Sequence, residues 1–292
     1  MNLSEVEKRL LALHYVFPVP ANRFTRLYEV DPELMQYLTF PTEKLAFILN
    51  VTPKKASKIN ASVVVNSALP FEELYDSYGI IPIPFTNPLY PKSLLTMFDP
   101  PAVLYVQGDA QLLAEKMKVS IIGSRKATFY SEKSLTFIVP PLVKNNVIIV
   151  SGLASGADTF AHQSAIKYGG KTIAVLGHGL FHIYPKENSA LKDEIGKNHL
   201  LVTEYPPYVR PERWTFPMRN RIISGLANAI IVTEAAKKSG TMSTVEHALE
   251  HGKDVYAVPG PITSRLSEGP NNMISEGAEP LSNGYQVIEA LR

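Results

Sequence analysis

Six short runs of aliphatic, largely β-branched residues recur through the last two thirds of the chain: VSIIGS at 119–124, VIIVSG at 147–152, TIAVLG at 172–177, LLVTEY at 200–205, AIIVTEA at 229–235 and VYAVPG at 255–260. They begin 25–29 residues apart. Each is almost continuously apolar, the pattern of a strand covered on both faces rather than one. Amphipathic stretches such as SEKSLTFIVPPLVK and TMSTVEHALEHG fill the gaps. Strand, helix, strand at this spacing predicts right-handed βαβ units, hence an open, mostly parallel sheet of extended Rossmann-like α/β type. In such sheets ligands bind outside the carboxyl ends of the strands, so the strand exits are where chemistry is to be sought.

The 292 residues suffice for one large domain with a small one attached. The first 70 residues read as a small helical domain. Ser4 and Glu7 form a capping box ahead of Val6, Leu10, Leu11 and Leu13, and Thr52-Pro53 opens the helix KKASKINASVVV. The expected division is therefore 1–70 helical and 71–292 α/β. Residues 78–101 carry six prolines in 24 positions and read as a linker or an extended segment laid over the sheet. VLYVQG at 103–108 then reads as an edge strand.

The chain has no cysteine, which excludes disulfides, thiolate metal sites and a cysteine nucleophile, and fits a reducing compartment. The N-terminus has charges among its apolar residues and no small-residue cleavage site, and no run of about 18 apolar residues occurs. A cytoplasmic protein without membrane contact is expected. Net charge is +2, so any surface for a polyanion must be a local cluster.

The first strand exit, GSRKAT, has Gly123 for a tight turn and close ligand approach, Ser124 for a hydroxyl and Arg125 for a planar cation suited to phosphate. A dinucleotide fingerprint would need G-x-G-x-x-G, and a single glycine is present. The second exit, SGLASGADTFAH, contains Ser151, Gly152, Asp158 and His162 but no nucleophile elbow, and its glycines, helix-capping Asp158 and locally bonded His162 make a structural reading the simpler one. The third, LGHGLFHIYPKE, places His178 and His182 among glycines and a proline where no helix aligns them for zinc, so no metal is expected; Lys186 is the phosphate candidate.

Arg210, Arg213, Arg219 and Arg221 then fall within twelve residues, offset only by Glu212, with Trp214 and Phe216 among them. Cations interleaved with aromatics suit a single-stranded nucleic acid, charge for phosphates and flat faces for bases. They also suit a core plugged by Trp214 and Phe216 with arginines bonded to carboxylates and carbonyls. Proximity to the Gly123-Ser124-Arg125 exit favours phosphate, with Arg219 and Arg221 flanking Asn220 at the start of a helix. Ser239-Gly240-Thr241 opens a further helix whose N-terminus is ready for an anion, and Glu246 follows it.

Taken together, GSR at 123–125, SGLASGAD-x-x-AH at 151–162, AVLGHGL-x-x-IYP at 174–185, EYPP at 204–207, FP-x-RNRIISGL at 216–226, SGT at 239–241 and AVPG at 257–260 resemble the DNA-processing protein A (DprA/Smf) family. The match runs from about 80 to 280, and the N-terminal helices resemble the sterile-alpha-motif-like, helix–hairpin–helix-type domain of many members. The resemblance implies a single-stranded DNA-binding protein that forms a homodimer and loads the RecA recombinase during natural transformation, protecting incoming strands and helping displace single-strand-binding protein. It implies phosphate contacts at Gly123, Ser124, Arg125, Ser151, Gly152, Lys186, Arg219, Asn220 and Arg221; Met273 and Ile274 are candidate dimer contacts, although an apolar pair there equally suits the core. Some members add a C-terminal winged helix; the chain ends at Arg292 without the length for one, so that activity is not expected. Without a G-x-x-x-x-G-K-[ST] motif, neither a nucleotide cofactor nor a motor of its own is expected. The competing enzymatic reading is a nucleoside-monophosphate phosphoribohydrolase of the lysine-decarboxylase-like family, whose Gly-Gly-x-Gly-Thr-x-x-Glu loop is only partly matched by Gly240, Thr241 and Glu246.

Overall fold

A computed structural model describes residues 3–291. Residues 3–76 contain the helices α1 (Glu5–Val16), α2 (Thr25–Val30), α3 (Thr42–Leu49), α4 (Pro53–Asn66) and α5 (Phe71–Asp76). Helix α1 starts at the expected capping box: the Ser4 hydroxyl accepts from the Glu7 N–H, and the Glu7 carboxylate accepts from the Ser4 N–H. Thr52 likewise caps α4, with Pro53 at its first position, where the missing N–H is harmless. Leu10, Leu13, Phe24 and Leu49 of this region form one continuous apolar cluster with Val103, Tyr105, Ala174 and Leu201 of the sheet, so the helices rest on a sheet face rather than stand apart.

The strands are β1 (Ile80–Pro84), β2 (Val103–Gly108), β3 (Lys118–Ile122), β4 (Ile148–Ser151), β5 (Thr172–Val175), β6 (Leu200–Thr203), β7 (Ala229–Val232), β8 (Asp254–Ala257) and β9 (Glu279–Pro280), in the sheet order β1-β2-β6-β5-β4-β3-β7-β8-β9. From β6 through β9 every pairing is parallel, while β1 and β2 run antiparallel at one side. The proline-rich run is thus neither linker nor overlay at its start. It supplies the edge strand, and VLYVQG lies one place inside it. Because alternate residues of a strand turn their N–H groups to opposite sides, Phe85 donating to Ala102 O across the pair (3.0 Å) means that Pro82 and Pro84 turn their missing N–H outward. A further strand therefore finds no donors there.

The remaining helices are α6 (Lys92–Leu95), α7 (Phe129–Lys144), α8 (Ala157–Lys167), α9 (Ser189–Asn198), α10 (Thr215–Leu226), α11 (Gly240–Glu250), α12 (Glu268–Ser275) and α13 (Gly284–Ala290). Ile222, Ile223 and Leu226 of α10 and Val245 and Ala248 of α11 cover one face of the parallel strands. Leu135, Ile138 and Leu142 of α7, with Ala161 and Ala165 of α8, cover the other. Among the described residues no helix is long and apolar enough to cross a membrane.

From β3 the chain winds outward through β4, β5 and β6, then returns across the sheet to place β7 on the other side of β3. The direction of winding reverses at β3, and the loops leaving β3 and β7 diverge there. A crevice opens at the carboxyl ends of the strands.

Candidate functional site

Two adjoining cavities occupy that crevice. One, of about 470 Å³, is lined by Gly152 and Ser155 after β4, Gly177 and His178 after β5, and Tyr184 and Lys186. The other, of about 600 Å³, is lined by Gly123 and Ser124 after β3, Arg213, Asn220 of α10, and Ser239, Gly240, Thr241, Ser243 and Thr244 at the start of α11. Arg125, Ala154, Tyr184, Phe216 and Arg219 line both, making a single groove with a waist. At the waist the Arg125 guanidinium lies over the Phe216 ring, 5.3 Å from its centroid, and the Tyr184 ring sits 5.4 Å from the same ring.

Local bonding shapes each wall. The Ser124 N–H donates to Glu234 O (2.6 Å) and the Glu234 carboxylate accepts from the Thr128 N–H (2.6 Å) and hydroxyl (3.0 Å), fastening the loop after β3 to the exit of β7. Arg125 is left exposed on that loop. Gly152 is needed because a Cβ there would overlap the guanidinium of Arg219. Gly177 is needed because a Cβ would come within 2.9 Å of the Phe216 ring. Across the groove, Lys186 is exposed on a short turn, beside Glu187, which accepts from the Ser155 hydroxyl (2.9 Å).

Arg219 is only 4% exposed and donates to the carbonyls of Gly152 and Val175. It is a cation built into the groove floor, with two strand-exit carbonyls holding its fork. Burial pulls its guanidinium down to about 10, while nearby Asp158 opposes that shift, so it stays charged at neutral pH. Asp158 accepts from the Ala154 N–H (3.3 Å), and burial raises its carboxyl in spite of Arg219. The cap position of α8 is Gly156, so Asp158 sits inside the first turn rather than before it. His162 is buried with Nδ1 2.6 Å from the Thr172 hydroxyl, a local structural role, and burial drops it to about 3. His178 and His182 part company: the first bonds Gly179 O inside the protein, the second bonds Tyr208 O.

Of the site residues read from the sequence, Gly123, Ser124, Arg125, Gly152, Lys186, Arg219 and Asn220 line the groove. Three other positions need correction. Ser151 is fully buried within β4 and its hydroxyl donates to Ile121 O (2.6 Å), stitching β4 to β3 instead of facing a ligand. Arg221 is 2% exposed and pairs with Glu204 and with Asp99 (3.0 Å). Helix α10 begins at Thr215 rather than near Arg219, Pro217 being tolerated in the first turn, so both arginines lie mid-helix. Two residues along a helix turn by about 200°, so Arg219 and Arg221 face opposite ways. Met273 is 4% exposed in the core under α12, with Ile274 packed partly against the same core; Met273 presents no side chain to a partner.

The groove also includes Arg213, Tyr184 and Phe216, which the sequence reading did not assign as contacts, and the α11 start, which it read as ready for an anion. Arg213 and Phe216 belong to the arginine- and aromatic-rich run, and that run was their signal. Tyr184 had none apart from adjoining Pro185 and Lys186. Trp214, by contrast, packs edge-on to Tyr205 at 5.9 Å and lines neither cavity. Glu246 is exposed and lies outside both cavities.

The family model described as DNA recombination-mediator protein A matches residues 82–292, which span both cavities. The chain belongs to that family. It is 42% identical to DNA processing protein DprA of Bacillus subtilis over 74% of this chain and 73% of that protein. It is 45% identical to DNA processing protein DprA of Streptococcus pneumoniae over 68% of this chain and 70% of that one. Among solved structures, DNA processing protein A of S. pneumoniae superposes with a TM-score of 0.83 at 34% identity, covering 99% and 98% of the two chains. DNA processing protein A of Helicobacter pylori, solved to describe its single-stranded DNA binding mode, superposes with a TM-score of 0.63 at 34% identity over 69% of this chain and 92% of that one.

Proposed function

We propose that this chain binds single-stranded DNA in the strand-exit groove and acts as a recombination mediator during natural transformation. The observation that carries the reading is the waist of the groove, where Arg125 is stacked on Phe216 above the buried Arg219. Phosphates pair with the cations of Arg125, Arg213, Lys186 and Arg219, and bases meet the rings of Phe216 and Tyr184. Most of the groove's charged and polar groups are suited to backbone contact, so binding is largely indifferent to base sequence. Membership of the recombination-mediator family and the single-strand binding of the H. pylori relative support the same reading.

In this role the protein works in the cytoplasm as a homodimer, coats incoming strands, helps displace single-strand-binding protein and hands the strand to RecA. Residues 1–70 form a supporting helical module beside the 71–292 DNA-binding unit. The chain is a mediator without a catalytic centre of its own. The phosphoribohydrolase alternative calls for an acid–base carboxylate at the α11 loop, and the candidate for it, Glu246, points out of the groove.

The test is fluorescence anisotropy with single-stranded oligonucleotides of increasing length, for wild type and Arg125→Ala. Affinity should rise with length, and the variant should bind more weakly with a log–log salt slope shallower by about 0.7. Length-independent binding, displaced equally well by a nucleoside monophosphate, would instead mark a nucleotide pocket and favour the hydrolase.

A further inference from the structure

We propose that the start of α11 is a second phosphate subsite of the groove, formed by the backbone N–H groups of Gly240 and Thr241 and the hydroxyls of Ser239, Thr241 and Thr244. The inference rests on the strand-binding reading above and extends it from the Arg125 waist to the far end of the 600 Å³ cavity.

Helix α11 is eleven residues long, and its first N–H groups have no partner within the helix. They point with the helix dipole toward whatever occupies the cavity, which favours negative charge. That alone would describe any helix N-terminus. The side chains around this one are what set it apart. Ser239 stands at the cap position but makes no capping bond, and its Oγ is buried without any hydrogen-bond partner. Thr241 and Thr244 are 8% and 3% exposed, line the cavity, and stand three residues apart on one helical face. Neither hydroxyl is hydrogen-bonded within the described residues. Ser243, their neighbour, is satisfied: it donates to Gly240 O (2.9 Å) and accepts from Asn220 (3.0 Å).

Buried hydroxyls are normally paired, and the Ser239 Oγ is buried and unpaired, while Thr241 and Thr244 bring two more uncommitted hydroxyls to the cavity wall; together they point to a ligand that pairs them. Arg125, Arg213 and Arg219 bring positive charge to the same cavity. Asp158 is the carboxylate that lines it, and it is already engaged by Ala154 and offset by Arg219. An acceptor-only group with several oxygens and negative charge fits this surround, and phosphate is that group. It can arrive as an internal phosphodiester of the strand or as a terminal phosphate.

The experiment compares wild type, Thr241→Val, Ser239→Ala and Arg125→Ala. Each is titrated with two oligonucleotides of one sequence, with and without a 5′-phosphate, and with inorganic phosphate followed by calorimetry. Thermal melts check folding; Ser239→Ala removes an unpaired buried hydroxyl and leaves the cap intact, so it serves if Thr241→Val melts early. The expected result is about tenfold weaker oligonucleotide binding in Thr241→Val and Ser239→Ala, the loss of one hydrogen bond to a charged group. The salt slope should not change, because a hydroxyl releases no counterions, whereas Arg125→Ala lowers it. Equal losses for both oligonucleotides identify an internal phosphodiester. A 5′-phosphate advantage that disappears in the variants identifies a terminal phosphate. Wild-type binding of both oligonucleotides and of inorganic phosphate by Thr241→Val and Ser239→Ala, with Arg125→Ala still impaired, overturns the subsite and leaves strand binding standing. Threonine-dependent binding of inorganic phosphate by a protein that holds no oligonucleotide keeps the subsite and overturns the strand reading.

Discussion

Replacing Arg221 by alanine should unfold the protein more readily while leaving DNA binding by the folded fraction unchanged. The side chain lies between Glu204, which is buried, and Asp99, whose side chain is 27% exposed. Removing one partner of a buried pair leaves the other charge uncompensated and costs about 3–5 kcal/mol. The loss falls mostly on Glu204, since water can solvate Asp99. With a urea dependence of about 3 kcal/mol per molar for a chain of this size, the unfolding midpoint should drop by about 1–1.7 M. The pH dependence checks the cause. Burial already holds the Glu204 carboxyl above its ordinary value, with Arg221 pulling the other way. A carboxyl raised in the folded state favours folding when it is protonated and penalises it as pH rises through the raised value. Without Arg221 that penalty grows, so the deficit should be largest at neutral pH and shrink as pH falls toward 4.5, the ordinary value for glutamate. Adding Glu204→Gln to Arg221→Met should recover most of the stability, because a buried pair replaced on both sides is close to neutral. Urea titrations between pH 4.5 and 7.5, paired with anisotropy on single-stranded DNA, measure both halves. An Arg221→Ala protein of wild-type stability whose salt slope falls by about 0.7 would refute the reasoning, for Arg221 would then be meeting a phosphate.

Gly152→Ala should displace the Arg219 guanidinium from the Gly152 and Val175 carbonyls, weakening both stability and DNA binding, whereas alanine at the open Gly240 position should leave stability within about 1 kcal/mol; melts and anisotropy on the two variants separate them. Lys186→Ala should leave stability within about 0.5 kcal/mol and lower the salt slope by about 0.7, read from anisotropy at several salt concentrations. Burial holds His14 and His162 at about 3 and His178 at about 4, so the folded state stays neutral where the unfolded chain takes up protons. Their stabilisation is present above pH 6.5 and is lost as pH falls below it, with a slope approaching about 4 kcal/mol per pH unit for the three together near pH 5. His14→Gln should remove about a third of that slope in urea titrations.

The strands were legible because burial on both faces leaves few polar residues to blur them, and VSIIGS or AIIVTEA admits few other readings. Their order was legible only in part. Periodicity announces βαβ units, yet nothing in Pro82 and Pro84 says that a proline-rich segment will serve as an edge strand; that depends on which side their absent N–H groups face. At the site, glycine and arginine types could be read at the strand exits, and the family resemblance sharpened them to residues. What a single dimension hides is direction. Ser151 and Gly152 are neighbours, but a strand alternates its faces, and Ser151 spends its hydroxyl on β3 while the Gly152 carbonyl holds Arg219. Arg219 and Arg221 read as a pair in R-N-R. Once α10 is seen to begin at Thr215 both lie mid-helix, and the helical turn sends one into the groove floor and the other to Glu204. The same geometry brings in Phe216 and Arg213 from the start of α10, so the arginine-rich run divides by orientation between a groove and a buried ion cluster. A residue's membership of the site therefore follows from the phase of its element at the crevice, and the phase of α10 depended on placing Pro217 inside its first turn.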